Sequence, residues 1–247
     1  MKLSVYFTPL GITSQSVAGK PIVVLDVVRA TSSIVAAMAH GARAVVPEAT
    51  ADEALRVAKN LERDDVLLAG ERGGFRIEGF DLGNSPVEMA AEVVRGKTIV
   101  MATTNGTGAL VAAEPGRPVL VAAITNFSAV IARAREELKT SGELAVLCSG
   151  RERMFALEDA YVAGRVVQAL LPDNKRKDVA LNDAAIAALE LVRRYGDRWK
   201  RAVLASAASR ALKKIGFSAD VEAVTEVDAY DIVPEYSERI IKLPNSP

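Results

Sequence analysis

The sequence predicts a layered α/β/α fold, a mainly parallel sheet flanked by helices. Three observations predict it. Short β-type runs alternate with longer helical stretches, the pattern of stacked α/β layers. Several of the β-type runs are apolar throughout instead of alternating, as strands covered on both faces are. Polar and glycine-containing turns follow the apolar runs directly, where strand-to-helix turns of such folds carry their ligands.

Taken in order, strands are expected over residues 3–7, 22–25, 44–46, 66–69, 98–102, 119–122 and 144–148. Helices are expected over 31–40, 51–63, 86–95, 106–113, 128–140, 158–171 and 183–195. The first is Ala-rich and stops at His40-Gly41; a helix C-terminus favours a cation there, so His40 reads as structural. Ser85 precedes Pro86 with Glu88 three residues after the serine, the pattern of a capping box with proline at the first helical position. The same stretch ends at Arg95-Gly96, a basic last turn before a C-cap glycine. Asn126 is placed to cap the helix that ends near Ser141-Gly142. Further on, Trp199 and the basic residues around it read as a surface helix with one anchored aromatic. A helix is expected over 205–214 and an edge strand over 237–243. A single α/β domain accounts for the whole chain, with a smaller C-terminal subdomain left open.

Composition excludes several kinds of chemistry. The 247 residues are half hydrophobic, enough to bury a sizeable core. Lys plus Arg number 31 and Asp plus Glu 31, so the basic excess of a nucleic-acid binder is missing. The run Lys175-Arg176-Lys177, after Pro172-Asp173-Asn174, reads as a solvated loop. No run reaches the roughly 18 apolar residues of a membrane span, and the N-terminus is broken too early by Pro9 and Gly11 for a signal peptide. One cysteine permits no intrachain disulfide, and a cytoplasmic location is expected. A single histidine disfavours a His-rich zinc site. Cys148 lies in an apolar strand and reads as inert, and a cysteine phosphatase would want arginine six positions on, where Met154 stands.

The chemistry gathers at strand ends. Asp26, Glu71, Thr103 and Ser149 each follow an expected strand directly or within two residues, so a parallel sheet would bring them to one edge. Asp26 and Arg29 lead into Ala30-Thr31-Ser32-Ser33, a helix start with free N–H groups for an anion. Gly70-Glu71-Arg72-Gly73-Gly74 sets a carboxylate and a guanidinium among glycines that allow close backbone approach; a plain turn with a local ion pair reads equally well. Thr103-Thr104-Asn105-Gly106-Thr107 opens a helix with hydroxyls, an amide and a glycine, either an anion cradle or simple N-capping. It lacks the lysine of a Walker A loop. Asp26, Glu71, Asp81, Asn84, Glu158 and Asp159 are the oxygen donors for a hard cation, and Mg²⁺ suits an oxygen-only set. Glu158 and Asp159 open a helix, where acids favour the dipole whatever their function, so this pair is the weakest of the six. Asp26 has Val28 two residues on, not the second Asp of haloacid-dehalogenase phosphatases.

These motifs together resemble the 2-phosphosulfolactate phosphatase family. The resemblance rests on 26–32 (DVVRATS), 70–74 (GERGG), 79–86 (GFDLGNSP), 103–107 (TTNGT), and Leu157-Glu158-Asp159 with Ala163-Gly164. One segment departs from it: Arg151-Glu152-Arg153-Met154 is more charged than the small residues expected. The resemblance implies an α/β enzyme that needs Mg²⁺ and hydrolyses 2-phosphosulfolactate to sulfolactate and phosphate, a step of coenzyme M biosynthesis. It implies catalytic roles for Asp26, Arg29 and Glu71. Substrate contacts would come from Thr31, Ser32, Arg72, Thr103, Thr104, Asn105, Gly106 and Thr107, with Arg29 and Arg72 as clamps on a small anionic substrate. Attack by water and an aspartyl-phosphate on Asp26 both stay open, as do homo-oligomerisation, a different phosphorylated hydroxy acid as substrate, and a non-catalytic anion-binding protein of the same fold.

Overall fold

A computed structural model describes residues 1–62, 65–171 and 178–244. Its strands are β1 (Lys2–Tyr6), β2 (Ile22–Leu25), β3 (Ala44–Glu48), β4 (Val66–Arg72), β5 (Phe75–Arg76), β6 (Thr98–Ala102), β7 (Val119–Ala122), β8 (Glu143–Cys148), β9 (Ala180–Leu181), β10 (Glu235–Ser237) and β11 (Ile240–Lys242). Its helices are α1 (Ser14–Val17), α2 (Ala30–Ala39), α3 (Ala51–Lys59), α4 (Ala91–Val94), α5 (Gly106–Ala113), α6 (Phe127–Ser141), α7 (Leu157–Leu170), α8 (Asp183–Tyr195), α9 (Trp199–Leu204), α10 (Ala207–Lys214) and α11 (Ser218–Ala223).

The strands form one sheet in the order β5-β4-β6-β3-β11-β10-β7-β2-β8-β1-β9. Strands β7, β2, β8, β1 and β9 are parallel neighbours. So are β4, β6 and β3. Between these blocks sits the β10–β11 hairpin, antiparallel to β7 on one side and to β3 on the other. Antiparallel steps β3–β11, β11–β10 and β10–β7 follow one another, so the two parallel blocks run in opposite senses. The mainly parallel, helix-flanked sheet holds, but the single shared edge does not. Asp26 ends a strand of one block, whereas Glu71 and Thr103 end strands of the other.

The continuous apolar runs have the expected cause. Along β2, Val23 and Leu25 enter a core with α6, α7 and α8, while Ile22 and Val24 enter a second core with α2 and α5. All four are fully buried, each worth about 1.5–3 kcal/mol of transfer free energy. A strand buried on both faces has no polar alternation to display.

Several local expectations fail for identifiable reasons. Residues 86–95 do not form one helix: Pro86–Glu88 is a single 3₁₀ turn, followed by the one-turn α4. Ser85 Oγ does accept from the Val87 N–H, but the Glu88 carboxylate turns back to the Gly83 N–H, so the capping box is not closed. Asn126 occupies the N-cap of α6 without capping it. Its Oδ1 accepts from the Ala123 N–H at 2.8 Å and its amide donates to the carbonyls of Val121 and Ile232. The C-terminal strand is interior, because β11 lies between β3 and β10. The helix expected over 205–214 begins at Ala207, where Ser206 Oγ accepts from the Ser209 N–H. Residue 63, the expected end of the second helix, and the Lys175–Lys177 run lie outside the described residues.

Other readings stand. Gly142 ends α6 in the left-handed region at φ 75°, as a C-cap glycine does. His40 closes α2, its Nδ1 2.5 Å from the Met89 carbonyl oxygen. Trp199 is anchored edge-on against Phe127 and Tyr161, with the Arg165 guanidinium 4.6 Å above its ring.

Helices α7 and α8 meet at Gly164, where an added Cβ would lie 2.2 Å from the Ala188 carbonyl oxygen. The obstacle is backbone, so it cannot swing aside. Gly164→Ala is expected to destabilise the chain by about 1–3 kcal/mol through overpacking. A urea titration reads it, and an unchanged midpoint would show that the two helices separate freely.

Candidate active site

The C-terminal ends of both parallel blocks converge on one pocket of about 330 Å³. From one block come Asp26, Val28 and Arg29 after β2, Gly150, Arg151 and Glu152 after β8, and Glu158 and Asp159 at the start of α7. From the other come Glu71, Gly73 and Gly74 at the β4–β5 turn, Asn84, and Thr103, Thr104 and Asn105 after β6. One wall is the face of α10, with Ala208, Ala211 and Leu212 and, just beyond it, Ile215.

Asp26 is held by its own turn. The Thr31 hydroxyl accepts from the Asp26 N–H at 3.0 Å and donates to its carbonyl at 2.9 Å. The Asp26 carboxylate accepts from the Ala30 N–H through Oδ1 at 3.1 Å. Ser32 Oγ donates to the Val27 carbonyl at 2.8 Å. Thr31 and Ser32 are therefore buried turn-builders and do not line the pocket.

Glu71 bridges two turns: Oε1 accepts from the Thr104 N–H at 2.8 Å and Oε2 from the Gly74 N–H at 2.9 Å. Thr103 and Thr107 cap each other, the Thr107 N–H donating to Thr103 Oγ1 and the Thr107 hydroxyl to the Thr103 carbonyl. Thr107 thus shapes the cradle from behind. Gly106 is needed for space: a Cβ there would lie 2.4 Å from Ala30 Cβ and 2.8 Å from Asp26 Oδ2.

Asp159 accepts from the Val27 N–H at 2.9 Å through Oδ1, and from the Ser149 hydroxyl and Gly150 N–H through Oδ2. It fastens the turns after β2 and β8 to α7. Glu158 is 3% exposed and bonds Ser206. The pair that sequence ranks last thus lies beside Asp26.

Two expected residues fall outside the pocket, and a third lines it already engaged. Arg72 is exposed, and its guanidinium donates to the Glu71 carbonyl, away from the pocket. Strand β4 runs through it, and side chains alternate faces along a strand, so Glu71 and Arg72 cannot point the same way. Asp81 is exposed and accepts from the Leu68 N–H at 2.8 Å, an edge contact to β4. Arg29 lines the pocket, but its fork is already engaged. One arm meets Asp220 at 2.5 Å, the other donates to the Gly74 carbonyl at 2.8 Å, and the guanidinium lies 4.7 Å over Phe217.

Sequence reasoning missed Asp220, whose other carboxylate oxygen accepts from Ser85 Oγ at 2.7 Å, and the α10 wall. Both come from a segment with no strand-end signal. It also missed Arg151, although the residue follows Ser149 and Gly150 at a recognised strand end.

The electrostatics are those of crowded buried acids. Burial pushes Asp26 up to about 6, with Glu71 adding to the rise; hydrogen bonds from Ser149 and Ala30 and the Arg29 charge oppose it. Burial lifts Glu158 to about 7, with Asp26 adding. Asp159 lies well above the usual carboxylate range through burial and the charges of Glu158 and Asp26. The Cys148 thiol is likewise pushed up by burial and by Asp159 and Glu158, which fits an inert residue. Asn84 lines the pocket, and its buried Oδ1 accepts no hydrogen bond among the described residues.

This donor set fits a hard divalent cation. It is all oxygen, carries unbalanced negative charge and leaves one amide oxygen without a partner. Among the described residues no three His, Cys, Asp or Glu side chains form a ready-made cage. Mg²⁺ does not need one, since it binds through one or two carboxylates and keeps several waters.

Fold and site define an α/β protein with an acid-lined pocket between opposed strand ends. The chain belongs to the 2-phosphosulpholactate phosphatase family, whose family model matches residues 6–239. It is similar to a protein of Caldanaerobacter subterraneus subsp. tengcongensis, 36% identical over 242 residues and covering 98% of each chain. It is also similar to one of Thermotoga petrophila, 39% identical over 212 residues, covering 86% of this chain and 87% of the relative. A third, of Clostridium acetobutylicum, is 32% identical over 237 residues, covering 96% and 98%. All three are named probable 2-phosphosulfolactate phosphatase. No described helix is long and apolar enough to cross a membrane.

Proposed function

We propose that this chain is a Mg²⁺-dependent, cytoplasmic phosphatase that hydrolyses 2-phosphosulfolactate to sulfolactate and phosphate, as coenzyme M biosynthesis requires. Family membership supports the reaction. The observation that carries the metal is the gathering of buried Asp26, Glu158 and Asp159 in one pocket with the Asn84 Oδ1, which has no partner among the described residues. Such a cluster is costly without a cation.

Hydrogen bonding sorts the candidates. Glu71 and Asp159 spend both oxygens on backbone N–H groups. Asn84 Oδ1 has no partner among the described residues, and Asp26 and Glu158 each accept only one hydrogen bond from the backbone and one from a serine; these three would hold Mg²⁺. When bound, the ion neutralises charge on the phosphoryl oxygens, which is where phosphoryl-transfer catalysis mostly lies. Glu71 and Asp159 keep the surrounding turns in register. The Thr103–Asn105 turn presents the N-terminus of α5 to the phosphate. The apolar α10 wall excludes water from one side.

The test is phosphate release from 2-phosphosulfolactate. Activity is expected with Mg²⁺, to vanish with EDTA and to return when Mg²⁺ is restored; full turnover in chelated buffer would refute the metal requirement. Binding also has a readout independent of turnover. Mg²⁺ at about 100 times its Kd adds roughly 2.7 kcal/mol, a rise in Tm of about 5–10 °C for a chain of this size.

A further inference from the structure

We infer that Arg151 reads a second acidic group of the substrate, an oxyanion beyond the phosphate, and so makes this pocket prefer phosphorylated acids to simple phosphate esters. The inference rests on the phosphatase reading above.

Two arginines line the pocket, Arg29 and Arg151. The Arg29 side chain is 3% exposed and its fork is fully used by Asp220 and the Gly74 carbonyl. Both terminal nitrogens are tied down, and Asp220 balances its charge. Arg151 differs on each count. Its side chain is 37% exposed, and among the described residues its one ion pair is a 3.6 Å contact with the adjacent Glu152, itself 71% exposed. An exposed pair of that kind holds a guanidinium weakly, so the fork is free to turn to a ligand.

The backbone beneath Arg151 is fixed. Its N–H and carbonyl pair with Met154 at 2.9 and 2.8 Å. The next N–H, that of Glu152, donates to Asn105 Oδ1 at 2.9 Å. Gly150 is held by the Asp159 carboxylate. Arg151 therefore stands at a set distance from the Thr103–Asn105 turn on one side and the Asp26–Glu158–Asp159 acids on the other. Those acids would repel a substrate bearing carboxylate or sulfonate as well as phosphate. A free planar fork on the rim is the group that offsets this, since it accepts either oxyanion through two N–H donors.

The experiment compares wild type, Arg151→Ala and Arg151→Lys in Mg²⁺ buffer on 2-phosphosulfolactate, 2-phospholactate and p-nitrophenyl phosphate. The readout is the kcat/KM ratio of each acid to the nitrophenyl ester. Arg151→Ala is expected to lower that ratio roughly tenfold or more, chiefly through KM, with Arg151→Lys between the two because it keeps charge and loses the fork. A drop shared by both acids assigns Arg151 to the carboxylate; a drop on 2-phosphosulfolactate alone assigns it to the sulfonate. Ratios within twofold of wild type overturn the inference. Calorimetry with sulfolactate separates it from the phosphatase reading. If wild type binds sulfolactate but releases no phosphate from 2-phosphosulfolactate, the reaction is wrong. Arg151 is then judged by whether Arg151→Ala weakens sulfolactate at least tenfold; equal affinity, or no binding by wild type, overturns it.

Discussion

Asp26→Asn is expected to abolish phosphate release while the chain keeps its fold. The amide retains the acceptor that receives the Ala30 N–H, so the turn after β2 survives. What disappears is charge, at the one carboxylate whose field acts on both Glu158 and Asp159. Losing the proposed metal ligand and its charge should lower kcat at least about 100-fold, roughly 2.7 kcal/mol. The same change relieves repulsion among buried acids, so the metal-free variant should melt no lower than metal-free wild type. Circular dichroism melts beside a phosphate assay decide it. Near-normal turnover would make Asp26 neither ligand nor nucleophile and move the centre of the site to Glu71 and Glu158.

Asp220→Ala is expected to be the most destabilising single change, although Asp220 lies far along the chain from every motif. Asp220 is 3% exposed, Arg29 4%, and they meet at 2.5 Å. Removing one partner strands a buried guanidinium, at a cost of about 3–5 kcal/mol. For a chain this size that is a drop in Tm of roughly 6–20 °C. Asp220 also holds Ser85, so the segment carrying Asn84 should loosen with it. Arg29→Lys acts by the same route: one ammonium cannot serve both Asp220 and the Gly74 carbonyl, so stability falls together with turnover. A double change, Asp220→Leu with Arg29→Met, removes both charges and should recover part of the loss. If Asp220→Ala melts within about 1 kcal/mol of wild type, the pair is not a latch.

Strands β2, β6 and β7 and helices α5 and α8 could be read from sequence to the residue, because burial on both sheet faces and a 3.6-residue period leave strong local marks. The two opposed blocks could not. Their relative sense is set by the hairpin pairings of Tyr236 and Ile241, contacts with no local signature. The site divides similarly. Asp26, Glu71 and Thr103 were legible as strand-end residues. Arg72 was misplaced because β4 continues three residues past the expected 66–69 run, so Glu71 and Arg72 alternate faces as strand neighbours do. Glu158 and Asp159 were ranked low because acids at a helix start need no function to explain them; only tertiary placement next to Asp26 separates the cases.

The β10–β11 hairpin also dictates when the chain can finish assembling. Tyr236 pairs with Val119 and Ile241 with Val45, separations of 117 and 196 residues. During synthesis each parallel block can collapse early, yet nothing bridges them until the stretch around residue 240 has left the ribosome. Until then β3 and β7 each present an unpaired edge, the kind of surface that recruits strands from other chains. A product truncated before residue 235 keeps both edges exposed permanently. Quality control would meet it as two sticky half-sheets, with every pocket residue from Asp26 to Ile215 already made.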